Sequence, residues 1–351
     1  MAFDFASYLF ELTGRTWTVE SLDGGFVNHT VRATLHAPPP DSYDASETSH
    51  KPSGNELASS LILSGSLVLK QAPPYVAQFP SIELSQRRQF IEAHALEFLH
   101  ASSEQSPFGL AHVLHAHPNV CIPRLIHHNE PKHLLIQSDL GRQSRNLDKY
   151  LLDQSTLPSS AASVGSGLVR FLVDMHHAYD SDPSMLLPGS EISLTFRNSQ
   201  SERLVHDLVS HTNEHLKTAG VTDYDLLSQR ALDHWDNRRR CVFGQGDVWF
   251  GTILVGSDGL VNAPSVGICD WEFAGPSHPA IDVAQLGLSV RLPFTGVPLI
   301  DQQGHTSSSW AYRRSLLPKV EVSSPVSRRR FFPPSSLTPL RRSRQSSKGH
   351  S

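Results

Sequence analysis

Two acidic residues in the C-terminal half of the chain stand at the ends of short apolar runs and could share one cleft. Asp247 lies within the run 242–255, Asp270 follows the run 266–269, and Ser257-Asp258-Gly259 predicts a turn between them. One carboxylate of such a hairpin could orient an attacking hydroxyl while the other holds a divalent cation that bridges phosphates. The alternative is an ordinary hairpin with two solvated aspartates.

A lysine and a glutamate further upstream favour the chemical interpretation. Lys70 ends an apolar strand, and the helix predicted over 85–100 carries Glu92. A strand lysine held by a glutamate on the next helix is suited to contact the α and β phosphates of a nucleotide. Upstream, Gly24-Gly25 could let the backbone approach phosphate oxygens. The alternative for Gly24-Gly25 is a plain hairpin turn, and the alternative for Glu92 is an ordinary surface glutamate.

The elements that must position these residues predict an α+β fold of two lobes. Strands are expected first, and the later part is mainly helical. The strands are predicted over 16–22, 28–35, 66–70, 121–126 and 133–137, and the helices over 3–13, 85–100, 146–152, 160–178 and 201–217. Residues 37–60 are rich in Pro, Ser and Asp without periodicity, which predicts a long flexible loop.

In this order, Lys70, Glu92, a hinge after Gln137, Asp247 and Asp270 resemble the aminoglycoside phosphotransferase and choline kinase-like family. Residues 69–76 are locally similar to methylthioribose kinases. The resemblance covers roughly residues 15–290 and implies a protein-kinase-like fold, with a small antiparallel β lobe and a helical lobe. It also implies an ATP-dependent transfer of a phosphoryl group to a small-molecule alcohol.

Carried over by position, the resemblance implies that Asp247 is the catalytic carboxylate and that Asp270 and Thr252 are the metal ligands. The turn through Asn28 would cover the phosphates, and the backbone at 137–139 would meet the adenine edge. The implied ATP-binding residues are Gly24, Gly25, Asn28, Lys70, Glu92, Gln137, Ser138 and Asp139. ATP and Mg²⁺ are the ligands expected with this set.

The sequence departs from the family at two positions of the catalytic loop. Gln245 stands where the family usually has histidine, and Thr252 stands where it has asparagine. Because a threonine hydroxyl reaches less far than a carboxamide, we expect a reduced affinity for magnesium. A nucleotide-binding pseudokinase or binding module with little or no turnover is therefore the alternative function.

The division into segments follows composition. We expect a nucleotide-binding β lobe over 1–138, a catalytic and substrate lobe over 139–290, and a basic Pro/Ser/Arg-rich tail over 291–351. The tail contains eleven Lys or Arg and two Asp or Glu, about +9, whereas the preceding part carries about −13. The tail is expected to be disordered or non-homologous, which would leave the helical lobe truncated.

A zinc metallopeptidase is a minor alternative. His211, Glu214 and His215 match an inverted zinc motif on a predicted helix, but with 20 histidines in the chain a chance match is expected. An acidic body disfavours nucleic acid as a partner, and no run of apolar residues approaches a membrane span. Three cysteines without paired spacing predict free thiols and a cytoplasmic location. No protein partner can be inferred.

Overall fold

A computed structural model describes residues 3–22, 27–36, 56–106, 108–236, 242–256 and 264–295. Its elements in chain order are α1 (Phe5–Thr13), β1 (Trp17–Ser21), β2 (His29–Leu35), α2 (Glu56–Ser64), β3 (Ser66–Gln71), β4 (Tyr75–Val76), β5 (Phe79–Glu83), α3 (Arg87–His100), α4 (Ala111–Ala116), β6 (Val120–Cys121), β7 (Leu125–Asn129), β8 (Leu134–Ser138), β9 (Arg145–Asn146), α5 (Leu147–Leu152), α6 (Pro158–His177), α7 (Glu191–Thr195), α8 (Ser199–Thr218), α9 (Tyr224–Asp236), β10 (Val242–Gly244), β11 (Ile253–Gly256), β12 (Ser265–Ile268), β13 (Gly275–Ser277) and α10 (Pro279–Thr295).

A five-stranded sheet in the order β1-β2-β3-β8-β7 organises the N-terminal part, and all its neighbouring strands are antiparallel. Strand residues alternate between its two faces. Leu67 and Leu69 of β3 pack with residues of α1 and α2. The intervening positions therefore point to the opposite face, which places Lys70 toward α3.

The helical part surrounds a second core. Residues of α3, α6 and the strands β11 and β12 share this core, with Phe171, Phe243 and Trp271 fully buried in it. Strands β11 and β12 form an antiparallel hairpin, and β10 pairs with β13. The predicted α+β architecture of an antiparallel sheet followed by helices is confirmed.

The loop predicted over 37–60 is wrong at its C-terminal end, where residues 56–64 form α2. Leu57 and Leu61 are one helical turn apart, and both pack into the core beside α1, while Glu56 in the first turn suits the helix dipole. This buried apolar stripe outweighs the poor helix propensity of the serines around it. Residues 37–55 lie outside the described part of the chain.

The single strand predicted over 121–126 is also wrong, because it is two short strands in different sheets. Val120–Cys121 pairs in parallel with β12, whereas Leu125–Asn129 pairs with β8. Pro123 lies between them and has no N–H to continue a ladder. The helices predicted over 146–152, 160–178 and 201–217 agree with α5, α6 and α8 to within a few residues.

Candidate active site

Lys70 connects the sheet, α3 and the loop after β12. Its Nζ lies 2.6 Å from Glu92 Oε1 and also donates to Asp270 Oδ1. Burial alone would lower the pKa of Lys70, but the carboxylates of Asp270 and Glu92 hold that pKa well above its ordinary value. The structure thus brings together three of the predicted residues, from positions up to 200 residues apart.

Asp270 occupies a backbone conformation that is rare for a residue with a side chain. Its φ is 58°, in the left-handed region. The side-chain amide of Gln245 donates to the carbonyl of Asp270 at 2.6 Å and to that of Cys269 at 3.0 Å. These bonds help to hold the strained backbone. The Asp270 side chain is one-third exposed, so its carboxylate can meet a ligand.

Asp247 lies in the loop between β10 and β11, and the same glutamine holds this second loop. Gln245 Oε1 accepts a hydrogen bond from the Asp247 backbone N–H at 2.7 Å. Burial, followed by the negative charges of Asp270 and Asp282, raises the pKa of Asp247 to about 7. Asp247 and Asp270 are therefore brought to one site. Asp270 lies directly after the β11–β12 hairpin, whereas Asp247 lies in the loop that precedes it.

Asp282 of α10 anchors the start of the loop that carries Asp247. Its fully buried carboxylate accepts hydrogen bonds from the backbone N–H groups of Gln245 at 3.1 Å and Gly246 at 2.8 Å, and His176 Nε2 lies 2.9 Å away. Neither Asp282 nor His176 stands in a local pattern that would select it from the sequence. Their pairing spans more than a hundred residues, which local periodicity does not reveal.

Thr252 is almost fully buried inside the same loop. Its Oγ1 lies 3.0 Å from the carbonyl oxygens of Asp247 and Trp249 and accepts a hydrogen bond from the Trp249 N–H at 3.2 Å. The hydroxyl therefore braces the loop. Gln285, which the sequence analysis also missed, accepts from the Val248 N–H at 3.1 Å, and its Nε2 lies 3.5 Å from Asp247 Oδ1.

The predicted hinge residues lie at and just beyond the end of β8. Asp139 accepts two hydrogen bonds from Arg32, at 2.7 and 3.0 Å, and one from Ser66 at 2.6 Å. Burial opposes ionisation, but these bonds lower the pKa of Asp139 below its ordinary value. Ser138 Oγ accepts from the backbone N–H of Arg124. Both side chains are therefore already bonded within the fold, and the Ser138 N–H donates to the Arg124 carbonyl at 2.9 Å.

Asn28 faces the interior at the start of β2. Its Nδ2 donates to Glu272 Oε2 at 3.0 Å, and its Oδ1 accepts from Arg88 Nε at 3.1 Å. Burial, then the charges of Glu92 and Asp270, raises the pKa of Glu272 to about 8. Gly24 and Gly25, predicted to cover the phosphates, lie outside the described residues.

Two indole rings flank the two acidic residues. Trp271 follows Asp270, is fully buried and donates from Nε1 to the Ile268 carbonyl at 3.0 Å. Trp249 lies two residues after Asp247, is partly exposed, and stacks edge-on against Phe250 with a centroid distance of 4.9 Å.

The predicted zinc motif lies on α8. His211, Glu214 and His215 are all exposed, and His211 Nδ1 bonds the backbone of its own helix at 2.8 Å. Among the described residues, no group of three or more His, Cys, Asp or Glu side chains is arranged to hold a metal ion. No helix in the described ranges has both the length and the apolar character needed to cross a bilayer.

Comparison with known proteins gives a family match over most of the chain. The model of the phosphotransferase enzyme family matches residues 62–316. The match extends beyond residue 291, where the basic tail is predicted to begin. The 4-hydroxytryptamine kinase of Psilocybe cyanescens is 23% identical over 311 residues, covering 86% of this chain and 74% of that protein.

Solved structures give weaker likenesses. A choline kinase from Cryptosporidium parvum Iowa II has a TM-score of 0.38 at 10% identity, with 77% of this chain and 61% of that chain covered. The streptomycin-ATP-APH(2″)-IIa ternary complex has a TM-score of 0.39 at 12% identity, with 80% and 75% covered. The chain thus spans less than two thirds of the choline kinase.

Proposed function

The chain belongs to the phosphotransferase enzyme family, and we propose that it transfers the γ-phosphoryl group of ATP to a hydroxyl group of a small molecule. Family membership confirms the predicted phosphotransferase class. The observation that carries the proposal is the contact of Lys70 with both Glu92 and Asp270, beside a loop that presents Asp247.

Lys70 and Asp270 have the chemistry required to hold a nucleotide's phosphates. The ammonium of Lys70, kept charged and oriented by Glu92, supplies a fixed positive charge. The partly exposed carboxylate of Asp270 is a hard oxygen donor of the kind that Mg²⁺ prefers, so this residue fits the ion. A magnesium ion there would offset phosphate charge. Thr252 fits less well, because its hydroxyl is already bonded within the loop.

Asp247 is suited to accept a proton from the substrate hydroxyl. A carboxylate with a pKa of about 7 is a stronger base than an ordinary aspartate and is still substantially ionised at neutral pH. Gln245 fixes the backbone on both sides of the site, and Gln285 approaches the Asp247 carboxylate. These contacts hold the base in place for an oriented alcohol.

The adenine ring is proposed to lie against the backbone at 137–139. Gln137 Oε1 supports this placement, because it is buried and accepts no hydrogen bond within the described residues. The exocyclic amino group of adenine could donate a hydrogen bond to this oxygen. The same stretch links β8 to the helical part of the chain.

A purified-protein phosphotransfer screen tests the function. The acceptors are 4-hydroxytryptamine, choline, methylthioribose and a set of aminoglycosides, each with MgATP. We expect transfer to at least one hydroxyl compound, reduced about 100-fold or more in Asp247→Ala. Asp233→Ala, which removes an exposed carboxylate from α9, is the matched control and should retain full activity. Equal turnover by Asp247→Ala would refute the mechanism.

A nucleotide-binding protein without turnover is the second candidate. The observation that favours it is the use of the Thr252 hydroxyl inside the loop, which leaves Asp270 as the exposed metal donor. Saturable ATP binding with no transfer to any acceptor would select this candidate.

A further inference from the structure

One face of α10 lies against the loop that carries Asp247. Asp282 and Gln285 are three residues apart on this helix, so their side chains are neighbours. Asp282 accepts the two backbone N–H groups that precede Asp247 in the sequence, at 3.1 and 2.8 Å. Gln285 Oε1 accepts the N–H of Val248, which follows it, at 3.1 Å. Helix α10 therefore holds the loop on both sides of the proposed base.

Gln285 also approaches the acidic side chain itself. Its Nε2 lies 3.5 Å from Asp247 Oδ1. This is a long hydrogen bond, and the hydrogen bonds of catalytic groups are often long before a substrate binds. Of the two orientations of the amide, only this one turns its oxygen to the Val248 N–H and its nitrogen to the carboxylate. The reverse orientation would set donor against donor and acceptor against acceptor. The side chain is therefore fixed with a donor toward Asp247.

The backbone and the carboxylate of Asp247 are held by different side chains. Gln245 Oε1 accepts the Asp247 N–H at 2.7 Å, which fixes the backbone. The carboxylate is held by Gln285 and by a hydrogen bond with the side chain of Trp249. The terminal torsion of an aspartate has a broad, roughly two-fold preference, so the backbone alone does not set the direction of the carboxylate oxygens. Hydrogen-bond donors on neighbouring side chains decide that direction.

We propose that Gln285 is a positioning residue for the proposed base: its amide holds the carboxylate of Asp247 in the orientation that receives the substrate hydroxyl. This inference rests on the proposed function, because the orientation of the carboxylate affects turnover only if Asp247 accepts the proton. A misaligned base slows the transfer step without removing a contact that binds ATP. Loss of the Gln285 donor should therefore lower kcat and have little effect on KM.

Two substitutions of nearly equal length separate this role from bracing of the loop. Gln285→Glu keeps an oxygen that can accept the Val248 N–H but has no donor for Asp247. Gln285→Met has neither the acceptor nor the donor. We expect both to lower kcat about tenfold or more, the effect of losing one hydrogen bond to a charged group, and to change KM for MgATP and for the acceptor by less than about twofold. The rates are measured with the acceptors of the phosphotransfer screen.

Gln229 of α9 provides the matched control. Its Nε2 donates to Asp233 Oδ1 at 2.9 Å, which is the same kind of contact on an exposed helix surface. Gln229→Glu and Gln229→Met should leave kcat and both KM values unchanged. Thermal unfolding of the four variants checks that each is folded at the assay temperature, which we expect because Gln285 is only partly buried.

Unchanged kcat in both Gln285 variants, with an active unmodified protein, would overturn the inference. A loss in Gln285→Met alone would also overturn it, because the role of Gln285 would then be to brace Val248. A loss in Gln285→Glu alone would do the same, because the added negative charge would then be the cause. Absence of turnover in the unmodified protein with every acceptor would instead overturn the proposed function, and this inference with it.

Discussion

Gln245 shows how much of the site depends on a single side chain. Its amide nitrogen bonds the backbone beside Asp270, and its amide oxygen accepts from the backbone of Asp247. A neutral carboxamide can do both because it has a donor and an acceptor on one rigid group. Gln245 stands where the family usually has histidine. Its side chain still connects the loop that carries Asp247 with the segment at Asp270.

The elevated pKa of Asp247 predicts opposite effects on activity and stability. Activity should rise with pH through about 7, because only the ionised carboxylate accepts a proton. The folded-state pKa lies above the ordinary 3.8, so the stability gained from the neutral form is complete below about pH 4 and is lost as pH rises through 7.

Asp247→Asn should therefore be inactive and yet more stable than the unmodified protein at pH 8, by an amount of the order of 2 kcal/mol, but not at pH 4.5. Thermal unfolding of both proteins at the two pH values measures this difference. A stability difference that does not change with pH would contradict the assigned origin of the pKa shift.

The loop from β10 to β11 places Asp247 by a close approach of two backbone segments. Gly246 has a φ of +84°, and a Cβ there would lie 2.2 Å from the carbonyl oxygen of Phe273. Asp282 accepts the Gly246 N–H from the other side. A side chain at this position must therefore move either the loop or the segment after Asp270.

Gly246→Ala should lower turnover by roughly 100-fold, because a displacement of about 1 Å at the base is enough for such a loss. It should also destabilise the protein by about 2 kcal/mol or more. Gly165→Ala is the matched control, since Gly165 lies exposed within α6 and an added Cβ meets no atom within 4 Å. Replacing this helical glycine should stabilise by roughly 0.5–1 kcal/mol and leave turnover unchanged. Similar turnover in both variants would exclude the proposed constraint on the loop.

Elements with a clear local pattern could be predicted, and contacts between distant segments could not. The strand that ends at Lys70 and the helix that carries Glu92 follow from apolar periodicity. Helix α2 was missed because two serines, which are weak helix formers, stand between its partly buried Leu57 and its buried Leu61. Arg88, Glu272 and Asp282 were missed because their role lies in polar contacts across the chain, and a lone charged residue in a sequence is normally read as exposed.

Ligand binding should stabilise the described part of the chain, because the ligand would link the sheet to the segment after β12. Lys70 belongs to the sheet and Asn28 directly precedes β2, whereas Asp270 and Glu272 follow β12, so the contacts that the nucleotide would use already cross between these parts. A ligand that binds only the folded state stabilises it by about 2.7 kcal/mol at a concentration one hundred times its Kd.

MgATP should accordingly raise the unfolding temperature by several degrees. ATP with a chelator should raise it less, because the contribution of a metal ion at Asp270 is then removed. Lys70→Met should abolish both shifts. Equal shifts with magnesium and with chelator would count against a metal ligand at Asp270 and would favour the nucleotide-binding protein without turnover.

The two tryptophans beside the acidic residues give the site its own optical reporters. Trp271 is enclosed in the core and Trp249 is partly exposed to water, so Trp249 should emit from a more polar environment than Trp271. A soluble quencher such as acrylamide reaches Trp249 and not Trp271. In a variant with phenylalanine in place of the other three tryptophans, Trp17, Trp235 and Trp310, changes near the proposed base and near the proposed metal ligand can therefore be followed separately by intrinsic fluorescence.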